Sequence, residues 1–170
     1  MRQLEVPEAL NSFYPQPLAF LSAVAPNGTR NAMAVGWLMQ ASLEPPILAV
    51  AVSQANYTHR LIELTDAFAI SMAGQGQEDL INRLGTTSSP GLDKLSEAQV
   101  PAAVGAVTGC PLIEGSAVHF ECKVERRVTV GDHSVFFGRI VAAWAPEKAV
   151  RKIDNFGGQR YAPAKGDSGE

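Results

Sequence analysis

Apolar positions along this chain fall in short runs bounded by Gly, Pro, Asn and Asp, and few of them repeat at helical spacing. That pattern predicts strands. Residues 18–24 form a first apolar run, and Pro26-Asn27-Gly28-Thr29 is a turn signal leading to a second strand over 31–38. Residues 47–52 are apolar at consecutive positions, so both faces of that strand need cover. Residues 67–72 read as another strand. The segment VHFECKVERRV, 118–128, alternates as a half-buried strand, and SVFFGRIVAAW, 134–144, returns beside it after a turn at 129–133. Two segments read as helices. Asn56 is placed to cap residues 57–64, where Leu61, Ile62 and Leu64 offer a buried stripe, and 78–84 form a short second helix. Between Gly85 and Gly109 the pattern breaks down into Gly, Ser, Thr, Pro and Ala. This predicts a long loop with room for one turn of helix, and loops of that length are usually functional or mobile.

About six strands, two or three short helices and no βαβ rhythm predict a mainly β fold, a six-stranded antiparallel Greek-key barrel. The return strand 134–144 is apolar on both faces; one fills the barrel, and the other needs a helix or a second copy of the chain. Gly138 in its middle predicts a bulge or the close approach of another group. Cys122 falls on the apolar side of its strand and reads as a core thiol, while His119 falls on the polar side and reads as surface.

At 170 residues and 46% hydrophobic content the chain suits one domain, 1–170, with its own core and a flexible tail from about 163. A net charge of −3 argues against nucleic acid as a partner, and the short basic runs at Arg126-Arg127 and 148–152 read as solvated. The start, MRQLEVPEAL, lacks an apolar signal core, and no apolar run approaches a membrane span, so the expected location is the cytoplasm. Two cysteines without CxxC spacing or a nearby His cluster speak against a disulfide or zinc site. No GxGxxG follows a strand, so a Rossmann dinucleotide site has no support.

The chemistry concentrates between Asn31 and His59. Asparagine, tryptophan, serine and a Tyr-Thr-His run surround two apolar strands, with no acid–base pair and no metal cluster. That suits a chain holding a planar, phosphorylated cofactor that carries the chemistry itself, so no catalytic side chain is expected. At Asn56, Tyr57, Thr58 and His59 a helix starts after a strand, which offers N–H donors and a positive dipole end to an anion; an ordinary capped helix start is the alternative. Asn31 and Ser42, with strand-edge backbone at Ala32 and Ala34, can serve the polar edge of a ring. Met33 and Trp37 can serve its flat faces, or they are simply core. Lys94 is either a phosphate partner or a solvated loop lysine.

The ordered set Asn31, Met33, Trp37, Ser42, Pro45, Pro46, Tyr57, Thr58 and His59 resembles the flavin reductase-like family, whose members bind FMN in a split β-barrel, and in particular its flavoredoxin-type group. The resemblance runs from about residue 20 to 161. The loop TTSSPGLDKL keeps the family's Asp-Lys pair as Asp93 and Lys94 but replaces its arginine and phenylalanine. Gly131-Asp132-His133 resembles the family's hairpin turn beside the nicotinamide pocket, Phe137-Gly138 a strand signature, and Gly158-Gln159-Arg160-Tyr161 a C-terminal element. The resemblance implies FMN as cofactor, NADH or NADPH as reductant and hydride transfer to flavin N5. It implies that the residues from Asn56 to His59 hold the phosphate, and that His133, Arg160 and Tyr161 border the nicotinamide. It also implies a homodimer that serves a small-molecule acceptor or a partner monooxygenase. A non-catalytic FMN carrier or storage protein, and a flavin-dependent oxidoreductase of another small molecule, are the alternatives.

Overall fold

The computed structural model describes residues 1–86 and 92–164. A short arm comes first: α1 (Val6–Leu10), a 3-10 turn (Asn11–Phe13) and β1 (Gln16–Pro17). Four strands follow, β2 (Ala19–Val24), β3 (Arg30–Val35), β4 (Leu38–Leu43) and β5 (Pro46–Ser53), then α2 (Tyr57–Thr65) and β6 (Ala67–Met72). Next come α3 (Glu78–Thr86), α4 (Lys94–Glu97) and a small hairpin, β7 (Ala102–Val104) with β8 (Pro111–Ile113). The long hairpin β9 (Val118–Val130) and β10 (His133–Trp144) precedes β11 (Ile153–Asn155) and β12 (Tyr161–Pro163).

Seven strands make one antiparallel sheet in the order β3-β2-β6-β9-β10-β5-β4. Its two end strands are consecutive in the chain and joined only by Gly36 and Trp37. The sheet must therefore curl until its ends meet, which makes a barrel with a split between β3 and β4.

Two expectations change here. The strand expected over 31–38 is two strands, so the barrel has seven rather than six. The apolar pattern runs through the corner, but the chain turns at Gly36, whose carbonyl accepts the Leu38 N–H at 3.0 Å. A Cβ at Gly36 would press on the Gln16 side chain of the crossing arm. The segment expected to be loop between 85 and 109 contains α4 and β7, and β7 pairs with β8 at Ala102↔Ile113. Residues 87–91 of that segment, and the tail from 165, lie outside the described residues.

Alternation divides the apolar residues between two layers. Leu21, Val35, Val50, Phe68, Ile70, Cys122 and Phe136 fill the barrel, and Leu61 and Ile62 of α2 close one end. Leu18, Phe20 and Ala32 point outward, under Ile81 and Leu84 of α3 and Leu95 of α4. Leu64 of α2 is exposed, and Thr58 and His59 take the buried place expected of it. Gly138 shows both expected features. The β9–β10 register shifts beside it, and a Cβ there would collide with the Phe68 ring and Cβ of Cys122.

His119 is a further correction. It is half-buried, with Nδ1 at 2.9 Å from Ser71 Oγ. The β7–β8 hairpin covers the outer face of β6 and β9 here, and the Ile113 N–H donates to the same Ser71 oxygen. No helix among the described residues is long and apolar enough to cross a membrane.

Candidate functional site

Among the described residues no strand pairs with the outer edge of β3, and the start of α2 lies beside it. A recess of about 90 Å³ opens there, lined by Asn31 and Met33 of β3, Asn56, Tyr57 and Thr58 of α2, Leu84 and Gly85 of α3, and Lys94. Asn56 stands at the N-cap in extended conformation, but its side chain makes no capping hydrogen bond. The Thr58 hydroxyl donates instead to Asn31 Oδ1 at 2.8 Å, and both residues are buried. Asn31 Nδ2 is buried and has no hydrogen-bond partner among the described residues. An unmet buried donor costs about 1–3 kcal/mol, and this one leaves a hydrogen bond open to an acceptor that enters the recess.

Lys94 is 4% exposed and donates from Nζ to the Leu84 carbonyl at 2.8 Å. Burial pushes its pKa down. Asp93 caps α4 by accepting the Ser96 N–H at 2.9 Å, and it accepts Arg30 Nε at 2.8 Å. Burial works to raise the Asp93 pKa, but the hydrogen bonds and charge of Arg30 and Ser96 outweigh it and hold the carboxyl below its ordinary value.

A second groove, of about 240 Å³, adjoins the recess and shares Gly85 with it. Its walls are Ala34 and Val35 of β3 with Gly36 beyond it, Asn82 and Thr86 of α3, and Asn155 of β11, Gln159 of the following turn and Tyr161 of β12. The Tyr161 hydroxyl donates to Asn82 Oδ1 at 2.8 Å, which ties β12 to α3 across the groove.

Of the residues expected to hold a cofactor, Asn31, Met33, Asn56, Tyr57, Thr58 and Lys94 come together at the recess, and Ala34 lines the adjoining groove. Ala32 is buried outward beneath α3 and α4. His59 lies elsewhere. Its Nε2 is 2.9 Å from Ser134 Oγ, and its ring meets Phe136 edge-on. Nδ1 is at ion-pair distance from Glu63, 3.4 Å, without hydrogen-bond geometry. Burial pushes its pKa down against the opposing pull of Glu63.

Ser42 is half-buried on β4, the opposite end strand of the sheet. Trp37 is 58% exposed on the outer face and packs on the His133 ring at 4.9 Å, while His133 Nδ1 meets Asp132 Oδ1 at 2.7 Å. Tyr161 lines the groove. Arg160 folds back onto its own turn, donating to the Gly157 and Phe156 carbonyls. Sequence reasoning missed Asn82, Thr86, Asn155 and Gln159. Each is a surface-type residue in its own segment, and only the tertiary fold gathers them. Among the described residues no group of His, Cys, Asp and Glu is gathered to hold a metal.

Residues 10–164 match the flavin reductase like domain family. The chain is 32% identical over 103 residues to the NADH-dependent FAD reductase of Streptomyces globisporus, covering 60% of this chain and 56% of that one. Its fold superposes on the FMN-binding protein from Thermus thermophilus with bound 1-cyclohex-2-enone, with TM-score 0.81 and 28% identity, over 96% of this chain and 94% of the other. The flavin reductase of styrene monooxygenase from Pseudomonas putida S12 superposes with TM-score 0.77 and 25% identity, over 95% and 97%. The chain spans about half the length of the first curated relatives it matches. With its barrel, its open strand edge and nearly its whole length matched, this chain belongs to the flavin reductase-like family.

Proposed function

We propose that the protein is an NADH- or NADPH-dependent flavin reductase that holds FMN along the outer edge of β3. The phosphate sits in the recess and the ring in the adjoining groove. The observation that carries this reading is the buried, unpartnered Asn31 Nδ2 beside a helix start and a buried ammonium. A phosphate offers acceptor oxygens to all three. A bound flavin supplies the redox chemistry, taking a hydride from the nicotinamide and passing electrons on. The chain's own part is to bind and orient. Asn31 Nδ2 donates to the phosphate group, Thr58 orients that amide through Asn31 Oδ1, and Lys94 offsets the charge. Tyr161 and Asn82 wall the groove and keep water from one side of it.

Gly36 lines both the ring groove and the outer apolar groove, which is the access we assign to the nicotinamide. His133 and Tyr161 border that access, and Arg160 supports it by holding the 156–160 turn. The outer groove, about 480 Å³, is lined by Trp37, Met39, Ala49, Ala51, Val135 and Phe137. In our reading a second copy of the chain forms the outer wall of this groove and leaves its Gly36 end open to the nicotinamide, which makes the protein a homodimer. Dependence on reduced nicotinamide suits a cytoplasmic protein, and the electrons go to a small-molecule acceptor or a partner monooxygenase.

Titration with FMN, followed by oxygen-free mixing with NADH and NADPH, tests the reading. Bound flavin that bleaches within turnover time is expected. A protein that stays colourless after FMN is added overturns it, and flavin that binds but does not bleach identifies a carrier. Sedimentation as a monomer at micromolar concentration overturns the dimer.

A further inference from the structure

We propose that Arg30 is a positioning residue for the anion recess, acting through Asp93 to hold the Lys94 ammonium in place. The inference rests on the reading that the recess takes the flavin phosphate.

Arg30 and Asn31 are consecutive on β3, so their side chains leave opposite faces of the strand. Asn31 enters the recess and meets Thr58. Arg30 goes the other way and grips α4 at two points: Nε donates to Asp93 Oδ2 at 2.8 Å, and Nη2 donates to Ser96 Oγ at 2.7 Å. Asp93 spends its other oxygen on the Ser96 N–H. The guanidinium thus fixes both the cap and the first turn of a four-residue helix, too short to be stable alone. Lys94 follows Asp93 directly. Its backbone is set by this clamp, and its ammonium is set by the Leu84 carbonyl of α3 at 2.8 Å.

Burying an ammonium is unfavourable, and the depressed pKa of Lys94 records that. A loop lysine would ordinarily relax toward water, so something must hold this one at the recess. The Arg30 fork, itself only partly exposed, does so from the same strand that supplies Asn31. One strand therefore sets both a donor to the anion and the position of its counter-charge.

The alternative is that the clamp merely fastens α4, with its buried Leu95, onto β3. Riboflavin separates the two readings because it lacks the phosphate. The test titrates FMN and riboflavin into the wild type, Arg30→Gln, Arg30→Lys, Lys94→Met and Arg30→Gln/Lys94→Met, with a thermal melt of each apoprotein. We expect Arg30→Gln to reduce the preference for FMN over riboflavin by about three- to tenfold. Arg30→Lys should lose less, keeping the charge but not the fork. In the Lys94→Met background, Arg30→Gln should change the preference no further.

An unchanged preference in Arg30→Gln, equal weakening of both flavins, or an undiminished effect without Lys94 overturns the proposal. If Arg30→Gln does not fold, Arg30→Lys with and without Lys94→Met decides by the same criteria. Equal affinity of the wild type for the two flavins overturns the phosphate reading itself, and this proposal with it.

Discussion

Two buried polar clusters flank this barrel, and they differ in whether the protein completes them. Glu121 is fully buried on the outer face of β9. Its carboxylate accepts the Val107 N–H at 3.0 Å, the Thr108 N–H at 2.6 Å, the Thr108 hydroxyl at 2.8 Å and Trp144 Nε1–H at 2.9 Å. Burial works to raise its pKa, and these hydrogen bonds outweigh it and hold the carboxyl below its ordinary value. The Asn31–Thr58–Lys94 cluster is nearly as buried, yet Asn31 Nδ2 has no partner. A closed cluster serves the fold, because every bond it makes is internal. An open one leaves a donor for whatever enters the recess. Burial alone does not separate the two; hydrogen-bond completion does.

The comparison breaks most sharply on stability. Glu121→Ala removes the shared acceptor of the Val107 and Thr108 N–H groups in the β7–β8 turn and of the Trp144 indole N–H, and leaves a cavity beside β9. A loss of about 3–5 kcal/mol in urea unfolding is expected. Asn31→Ala removes an unmet donor and strands only the Thr58 hydroxyl, so it should cost about 1 kcal/mol or less. Equal losses for the two variants would mean that the recess is as structural as the Glu121 cluster.

Ligand affinity should show the reverse pattern. Thr58→Ala removes the hydroxyl that orients Asn31 and should weaken FMN by about tenfold, a loss of about 1.4 kcal/mol, with a smaller effect on riboflavin. A conservative change in the closed cluster, Trp144→Phe, should leave the ratio of the two affinities unchanged. Fluorescence titration of both flavins reads this directly. A ratio that moves with Trp144 and not with Thr58 would reverse the assignment of the two clusters.

The barrel strands were readable from local pattern: β9 appears as the alternation of VHFECKVERRV and β10 as the apolar run SVFFGRIVAAW after a turn, almost at their observed limits. The β3–β4 corner was not readable, because Trp37 and Leu38 continue the apolar pattern while the chain turns at Gly36. β7 was hidden in an Ala- and Gly-rich stretch with no alternation. That omission made His119 look like a solvent-facing residue, since the element covering it was unrecognised. At the recess, residue types pointed to Asn31, Thr58 and Lys94, but their proximity depends on three elements distant in sequence. The Tyr161–Asn82 contact, 79 residues apart, left no local signal.

His59 shows the limit best, and pH gives the last and smallest test. It adjoins Thr58 in the run that carried the anion-site expectation, yet one helical step of about 100° turns it away. Thr58 faces β3, and His59 faces Ser134 and Phe136. Burial depresses the pKa of His59, and also that of His119. The unfolded chain then takes up protons first, near the ordinary histidine value of about 6.5, so it binds more protons than the folded state below that pH. Stability from these histidines is present above about pH 6.5 and is lost as pH falls through it toward the folded-state value. The slope is at most about 1.4 kcal/mol per pH unit for each. Urea midpoints should fall between pH 7.5 and 5.5, and less steeply in His59→Gln. A histidine in the recess predicts the opposite sign in binding: protonation would add a cation beside the phosphate, and FMN affinity would rise as pH falls. With His59 turned away from the recess, FMN affinity should stay level and then decline as the phosphate loses its second charge near pH 6. A rise in FMN affinity through pH 6.5 that disappears in His59→Gln would return His59 to the site.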